Sequence, residues 1–242
     1  MSNNYFRFKQ FTIQQDQCAM KVSTDACIQG AYAYVPAIAE KVLDIGAGTG
    51  LLSLMLAQRF PGILIDAVEA DAAAFEQAKE NVAASPFAER IRLIHADART
   101  FDPADKYDFM ICNPPFFSNS LKGLVEARNK ARHDETLSSE DLISLMQRTL
   151  KKEATACFLW PVTEFASWKD LLFKRGFHLH HNAYIRDRAQ TKRTRSMSTC
   201  SMSAGTGTER AVGMDEELII KNEDGSYTSA FTALLSPFYL YL

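Results

Sequence analysis

No stretch of this sequence is apolar for long enough to span a bilayer. The longest apolar run, Ala31 to Ala39, is broken by Pro36 and falls short of the roughly 20 residues a membrane helix needs. Residues Met1 to Gln10 alternate aromatic and polar side chains and lack the apolar core of a signal peptide, so a cytoplasmic protein is expected. Cysteine is sparse: Cys18, Cys27, Cys112, Cys157 and Cys200 are an odd set with no C-x-x-C pairing, which suggests neither a disulfide framework nor a zinc site. Neither sign of charge dominates. The formal net charge of -2 argues against an indiscriminate nucleic-acid binder while leaving room for a local basic stripe. Internal repeats and low-complexity linkers are also missing, so the 242 residues, 47% of them hydrophobic, are read as one domain.

What is present begins at Lys41 as an alternation of strands and helices. Val42 to Ile45 reads as a strand, Leu51 to Phe60 as a helix broken by Pro61-Gly62, and Ile63 to Val68 as the next strand. Asp71 to Ala84 follows as a helix, then strands at Ile91 to His95 and Tyr107 to Cys112, and a helix from Ser138 to Leu150 capped by Ser138 or Ser139. A strand from Ala154 to Trp160 and a helix from Thr163 to Arg175, closed by Gly176, complete the alternation. Such units imply right-handed crossovers and parallel strands. After Gly176 come strands without helices between them, Phe177 to Ile185, Thr194 to Ser203 and Glu217 to Lys221, which predicts antiparallel pairing. A short helix over Tyr227 to Leu235 precedes an aromatic ending. The expected fold is α/β and Rossmann-like: a mainly parallel seven-stranded sheet with antiparallel C-terminal strands and helices on both faces. Residues 1–40 are read as a cap, 41–176 as the core and 177–242 as the antiparallel part.

Between the first strand and helix stands Asp44-Ile45-Gly46-Ala47-Gly48-Thr49-Gly50, a turn whose glycines let backbone approach a nucleotide. A dinucleotide fingerprint needs its third glycine at position 51, which is Leu51, so the spacing is wrong for NAD. The loop suits S-adenosylmethionine, which has no pyrophosphate. Asp44 would meet the ammonium of its methionine part, and Gly46, Gly48 and Gly50 would line it. Glu69, ending the next strand, would accept from the ribose hydroxyls, and Asp97, after the third, from the adenine amino group.

The strand Tyr107 to Cys112 runs into Asn113-Pro114-Pro115-Phe116 at the carboxyl edge, where α/β proteins bind ligands. The lone pair of an adenine amino group is delocalised into its ring, so methylating it requires acceptors that favour a pyramidal nitrogen. The Asn113 side-chain oxygen and the Pro114 carbonyl supply two, the prolines hold the loop rigid without competing donors, and Phe116 can stack on the base. Sulfonium chemistry needs no acid or base, so catalysis by position and by aimed acceptors is expected, without a general-base histidine.

These motifs resemble the class I methyltransferases of the N-P-P-Y/F group and, more closely, the bacterial valine-tRNA adenine N6-methyltransferases, which modify the adenine 3′ of the anticodon. The likeness spans nearly the whole chain. It covers Phe8-Lys9-Gln10-Phe11, Cys18 to Asp25, VLDIGAGTGLLSLMLAQR, Asn113 to Phe117, Ala131-Arg132-His133 and Phe238-Tyr239-Leu240. It implies that Lys21 and Thr24 line the cofactor pocket and that Asn113 through Phe116 bind the target adenine, with Asn113 also against the cofactor. Two residues depart from the pattern: Phe116 replaces a common tyrosine, and Ser23 stands where glycine is frequent.

Arg186, Arg188, Lys192, Arg193 and Arg195 crowd five positive charges into ten residues, the form of a phosphate-binding stripe. A second set after the N-P-P-F loop includes Lys130 and Arg132. A tRNA partner is therefore expected, bound by a monomer without metal or membrane. Other readings stay open: a ribosomal-RNA guanine N2-methyltransferase, a glutamine N5-methyltransferase acting on a protein, or a non-catalytic RNA-binding protein that keeps the fold.

Overall fold

The computed structural model describes residues 3–114, 137–202 and 215–242. Ten strands and six helices occur among them. A hairpin of β1 (Tyr5–Arg7) and β2 (Thr12–Gln14) leads to helix α1 (Thr24–Tyr32). Next come β3 (Lys41–Ile45), α2 (Leu51–Arg59), β4 (Leu64–Glu69), α3 (Ala72–Ala83), β5 (Ile91–His95) and β6 (Tyr107–Cys112). Then follow α4 (Ser139–Thr149), β7 (Leu150–Pro161), α5 (Val162–Lys174), β8 (His178–Arg186), β9 (Arg195–Ser201), β10 (Asp215–Ile219) and α6 (Ser229–Leu235).

Local chemistry explains the boundaries. Asp71 caps α3 by accepting from Ala74 N at 2.8 Å. Ser138 and Asp141 form a reciprocal capping box on α4. Gly176, with φ of +80°, closes α5 in the left-handed region that favours glycine. Among the described residues no helix is long and apolar enough to cross a membrane.

The main sheet has the order β10-β8-β9-β7-β6-β3-β4-β5. The order turns back between β3 and β6: β4 and β5 extend the sheet to one side, while β6 and β7 extend it to the other. That reversal opens a crevice at the carboxyl ends of β3 and β6. The register there is decisive. Ile45 pairs with Cys112, so the chain leaves the two strands side by side, as Gly46 and as Asn113.

Alternate residues of each strand feed two cores. On one face, Phe109 and Ile111 of β6 join Ile28, Leu54, Phe231 and Phe238; on the other, Met110 and Cys112 join Leu142, Met146, Phe158 and Trp168. Helices thus cover both faces, as the alternation predicts. The two ends of the chain close on each other: Lys9 N donates to Phe238 O at 2.8 Å, Phe8 bridges to Tyr239, and Phe8 stacks on Phe11. The first and last blocks of the family resemblance therefore form one aromatic cluster.

Two expectations about the sheet need correction. The sheet has eight strands rather than seven, and the C-terminal strands are not uniformly antiparallel. Only β9 runs against its neighbours, whereas β10 pairs in parallel with β8, Leu218 opposite Ile185. The reason is steric. β9 is already paired on both sides, by β7 and β8, so β10 can add only to the free edge of β8; β9 returns the chain to the amino edge, and a strand that starts again from there runs parallel to β8.

Candidate active site

Gly46, Gly48 and Gly50 all have positive φ (70°, 54° and 81°), a turn that residues with a Cβ adopt only under strain. Among the described residues a Cβ on Gly46 would meet nothing within 4 Å, so that glycine is present for its backbone conformation. The loop is held from several sides. Gly46 N and Ala47 N donate to Val68 O, Gly48 N donates to Glu69 Oε2 at 2.8 Å, and Thr49 O accepts from Asn81 Nδ2 at 2.9 Å.

Asp44 lies inside the molecule, fully buried. Its Oδ2 accepts from Ser53 Oγ at 2.6 Å, while Oδ1 has no partner. Burial pushes its carboxyl up to about 6, against the lowering effect of the Ser53 hydrogen bonds. Glu69 uses Oε2 for Gly48 N and Oε1 for Asp71 N at 2.9 Å, and each oxygen keeps a lone pair. Asp97 is gripped by Arg99, whose Nε lies 3.0 Å from Oδ1 and whose Nη2 lies 2.6 Å from Oδ2. That guanidinium holds the carboxyl below its usual range.

Across the crevice, Asn113 has its Oδ1 buried without a partner, and Pro114 is buried beside it. The last carbonyl of β6, Cys112 O, accepts from the buried Gln29 Nε2 at 2.9 Å. Lys21 and Thr24 are both exposed where α1 begins. Ser23 caps α1, its side chain accepting from Ala26 N at 3.2 Å, which accounts for a serine at the place where glycine is frequent. Pro115, Phe116, Lys130 and Arg132 lie outside the described residues.

The basic segment sits at this same carboxyl edge, where β8 ends and β9 begins. It is not a row of uncompensated charges. Arg186 Nη2 and Arg193 Nε lie 2.9 and 2.7 Å from one oxygen of Glu217, and Arg193 also covers the Tyr184 ring at 3.9 Å. Arg195 Nε is 3.1 Å from Asp25 Oδ2, and Arg188 Nε is 3.8 Å from Asp187. Only Lys192 of the five has no ion pair among the described residues. Distant acids, Glu217 and Asp25, balance a stretch that reads as basic in one dimension.

Sequence reasoning passed over the supporting residues Ser53, Gln29, Asn81 and Arg99. Ser53 carried a signal, since a hydroxyl inside the apolar run LLSLML must find a buried partner. Gln29 carried none, because its burial follows only from the packing of α1. Asn81 carried none, because its partners, Gln14 and Thr49, belong to distant segments.

A glycine loop and an asparagine-proline turn on either side of the reversal point define a class I methyltransferase. Solved structures agree on the fold. A predicted O-methyltransferase from Agrobacterium tumefaciens superposes with a TM-score of 0.63 at 19% identity, over 88% of this chain and 96% of that one. The glycopeptide N-methyltransferase MtfA, in complex with S-adenosylmethionine, gives 0.55 at 12% identity, over 76% and 89%. The profile of the methyltransferase small domain matches residues 29–136. The tRNA1(Val) (adenine(37)-N6)-methyltransferase of Dyadobacter fermentans is 42% identical, covering 98% of either chain, and that of Pseudoalteromonas translucida is 40% identical, over 97% of this chain and 98% of the relative. The chain belongs to this family of tRNA1(Val) (adenine(37)-N6)-methyltransferases.

Proposed function

We infer that this chain transfers a methyl group from S-adenosylmethionine to N6 of adenine 37 in a valine tRNA. The observation that carries the reading is the buried, partnerless Oδ1 of Asn113, set beside the glycine loop by the pairing of Ile45 with Cys112. A buried acceptor without a hydrogen bond costs about 1–3 kcal/mol, a cost folds retain where a ligand completes the site. An amino group with two N–H donors is such a ligand, shared between Asn113 Oδ1 and the Pro114 carbonyl. Accepting both hydrogens draws the nitrogen toward pyramidal geometry and frees its lone pair.

The partnerless Asp44 Oδ1 fits the methionine ammonium of the cofactor, and the positive-φ backbone of Gly46 fits close approach of the same part. Glu69 would accept from the ribose hydroxyls through its remaining lone pairs, and Asp97, held in place by Arg99, from the adenine amino group. Gly48, Gly50, Lys21 and Thr24 complete the lining. The cofactor when bound supplies an electrophilic methyl; the chain's own residues bind, orient and stabilise developing positive charge. Pro115 and Phe116 follow Asn113-Pro114 in the sequence and are assigned to the target adenine, Phe116 by stacking on the base.

The hairpin between β8 and β9 stands at the same edge and is the proposed tRNA contact, with Lys192 presented outward and Arg186, Arg188, Arg193 and Arg195 poised on surface carboxylates. Lys130 and Arg132 are assigned to the same role. Extruding a base costs roughly a few kcal/mol, and less from a single-stranded loop, so an anticodon loop is a ready substrate.

Incubation with bulk tRNA and isotopically labelled S-adenosylmethionine, followed by nucleoside mass spectrometry, tests the assignment. Labelled N6-methyladenosine, mapped beside the valine anticodon, is the expected product. Recovery of N2-methylguanosine instead would overturn it.

A further inference from the structure

A second concavity lies at the amino edge of the sheet, opposite the crevice. It forms where β7 and β8 begin and β9 ends, with a volume near 580 Å³, inside the range of small-molecule sites. Helix α1 runs from the carboxyl edge to this cleft: its first turn stands at the hairpin between β8 and β9, where Asp25 meets Arg195, and its last residue, Tyr32, roofs the cleft. At about 1.5 Å per residue, nine helical residues set the two ends about 13 Å apart.

We propose that this cleft binds a small organic cation, an ammonium group carried on an aromatic or apolar body. Three features lead there. Aromatic faces are the first: the ring of Tyr32 stacks on His181 with centroids 5.7 Å apart, and Tyr34, 67% exposed, adds another ring to the lining.

A β-bulge is the second. Leu179 pairs with Cys200 and His181 with Thr199, leaving His180 as an extra residue, and both histidines line the cleft. Bulges re-aim side chains in this way and concentrate beside functional sites. His180 bonds to Ser201 Oγ, and burial, with the neighbouring His178, holds its imidazole below the ordinary range and therefore uncharged at neutral pH.

The sign of the charge is the third. Glu153 lines the cleft, and Glu216 borders it, accepting from the Tyr32 hydroxyl and lying 3.4 Å from His181 Nε2. Among the described residues that line the cleft there is no lysine or arginine. A phosphate or carboxylate would face two like charges, whereas an ammonium gains both the carboxylates and the negative faces of the rings. Met197 in the floor receives the apolar body.

Tryptamine and indole-3-acetate, one ring carrying opposite charges, test the proposal on the full chain by titration calorimetry and NMR. Tryptamine is expected to bind at least about tenfold more tightly than indole-3-acetate and to shift the ring resonances of His180 and His181. Tyr34→Ala and Glu153→Gln, both at exposed positions, should each weaken it about threefold without lowering the melting temperature. Asp44→Asn, in the crevice, should leave it unchanged. No tryptamine binding at millimolar concentration, equal affinity for the two probes, silent histidines, or loss of binding in Asp44→Asn with none in Tyr34→Ala and Glu153→Gln would each overturn it.

Discussion

The crevice between β3 and β6 and the hairpin between β8 and β9 share one edge of the sheet, yet they treat polar groups in opposite ways. In the crevice, two buried acceptors, Asp44 Oδ1 and Asn113 Oδ1, have no partner. On the hairpin, four of five cations have a carboxylate in reach and none is fully buried, although Arg186 Nε is a buried nitrogen without a hydrogen-bond partner. Unpaired buried acceptors are costly and exposed ion pairs contribute little. The crevice therefore carries strain that a specific ligand can relieve, while the hairpin holds charges that a polyanion can take over by exchange.

That contrast breaks most sharply at Asn113. Asn113→Ala should lower turnover at least about 100-fold, the scale of a lost transition-state hydrogen bond, with cofactor affinity by calorimetry unchanged. A variant of near-normal rate would remove the proposed amino acceptor.

Asp44→Asn comes next, with cofactor affinity expected to fall at least about tenfold, the scale of a hydrogen bond to a charged group. Its effect on the cofactor-free fold has the other sign. Burial raises the carboxyl from 3.8 to about 6, so the folded state holds a proton that the unfolded chain has released. Stability from this group is complete below the unfolded value, falls as pH rises toward about 6, and is level above it. Scanning calorimetry should find Asp44→Asn more stable than the parent at pH 8 and no more stable at pH 4; the reverse order would show that the carboxylate is stabilised where it lies. Cofactor binding by the parent should weaken as pH drops below about 6, because a proton then competes with the ammonium.

On the hairpin the changes are graded. Replacing Lys192, Arg193 and Arg195 together by alanine should weaken tRNA binding about tenfold at low salt and reduce the slope of log affinity against log salt, each lost phosphate contact removing roughly 0.7–0.9. A slope identical to the parent's would take the hairpin out of the RNA interface. The smallest effect belongs to Glu217→Gln. Releasing Arg186 and Arg193 from their shared carboxylate should tighten tRNA binding about twofold by filter assay and leave the melting temperature nearly unchanged. Weakened binding would mean that Glu217 pre-orients the arginines rather than competing for them.

Much of the crevice was legible in one dimension. The strands Ile91 to His95 and Tyr107 to Cys112 stand where periodicity places them, and the glycine loop and Asn113 fall at strand ends. The hairpin was legible as a cluster of charge but misleading as a free one, because Asp25 and Glu217 are 170 and 24 residues from the arginines they meet. Helix α1 escaped notice, its sequence TDACIQGAY lacking a clear apolar stripe and owing its helix to the Ser23 cap and to burial against α2.

Alternation of strand and helix, the glycine turn and the asparagine-proline turn were written in the sequence itself, because backbone preference and short-range spacing decide them. The tertiary structure alone settled that Ile45 faces Cys112, that Ser53 and Gln29 hold Asp44 and the end of β6, and that β10 joins β8 in parallel. Those outcomes depend on which surfaces and edges remain free once the sheet is assembled, and local spacing does not encode that.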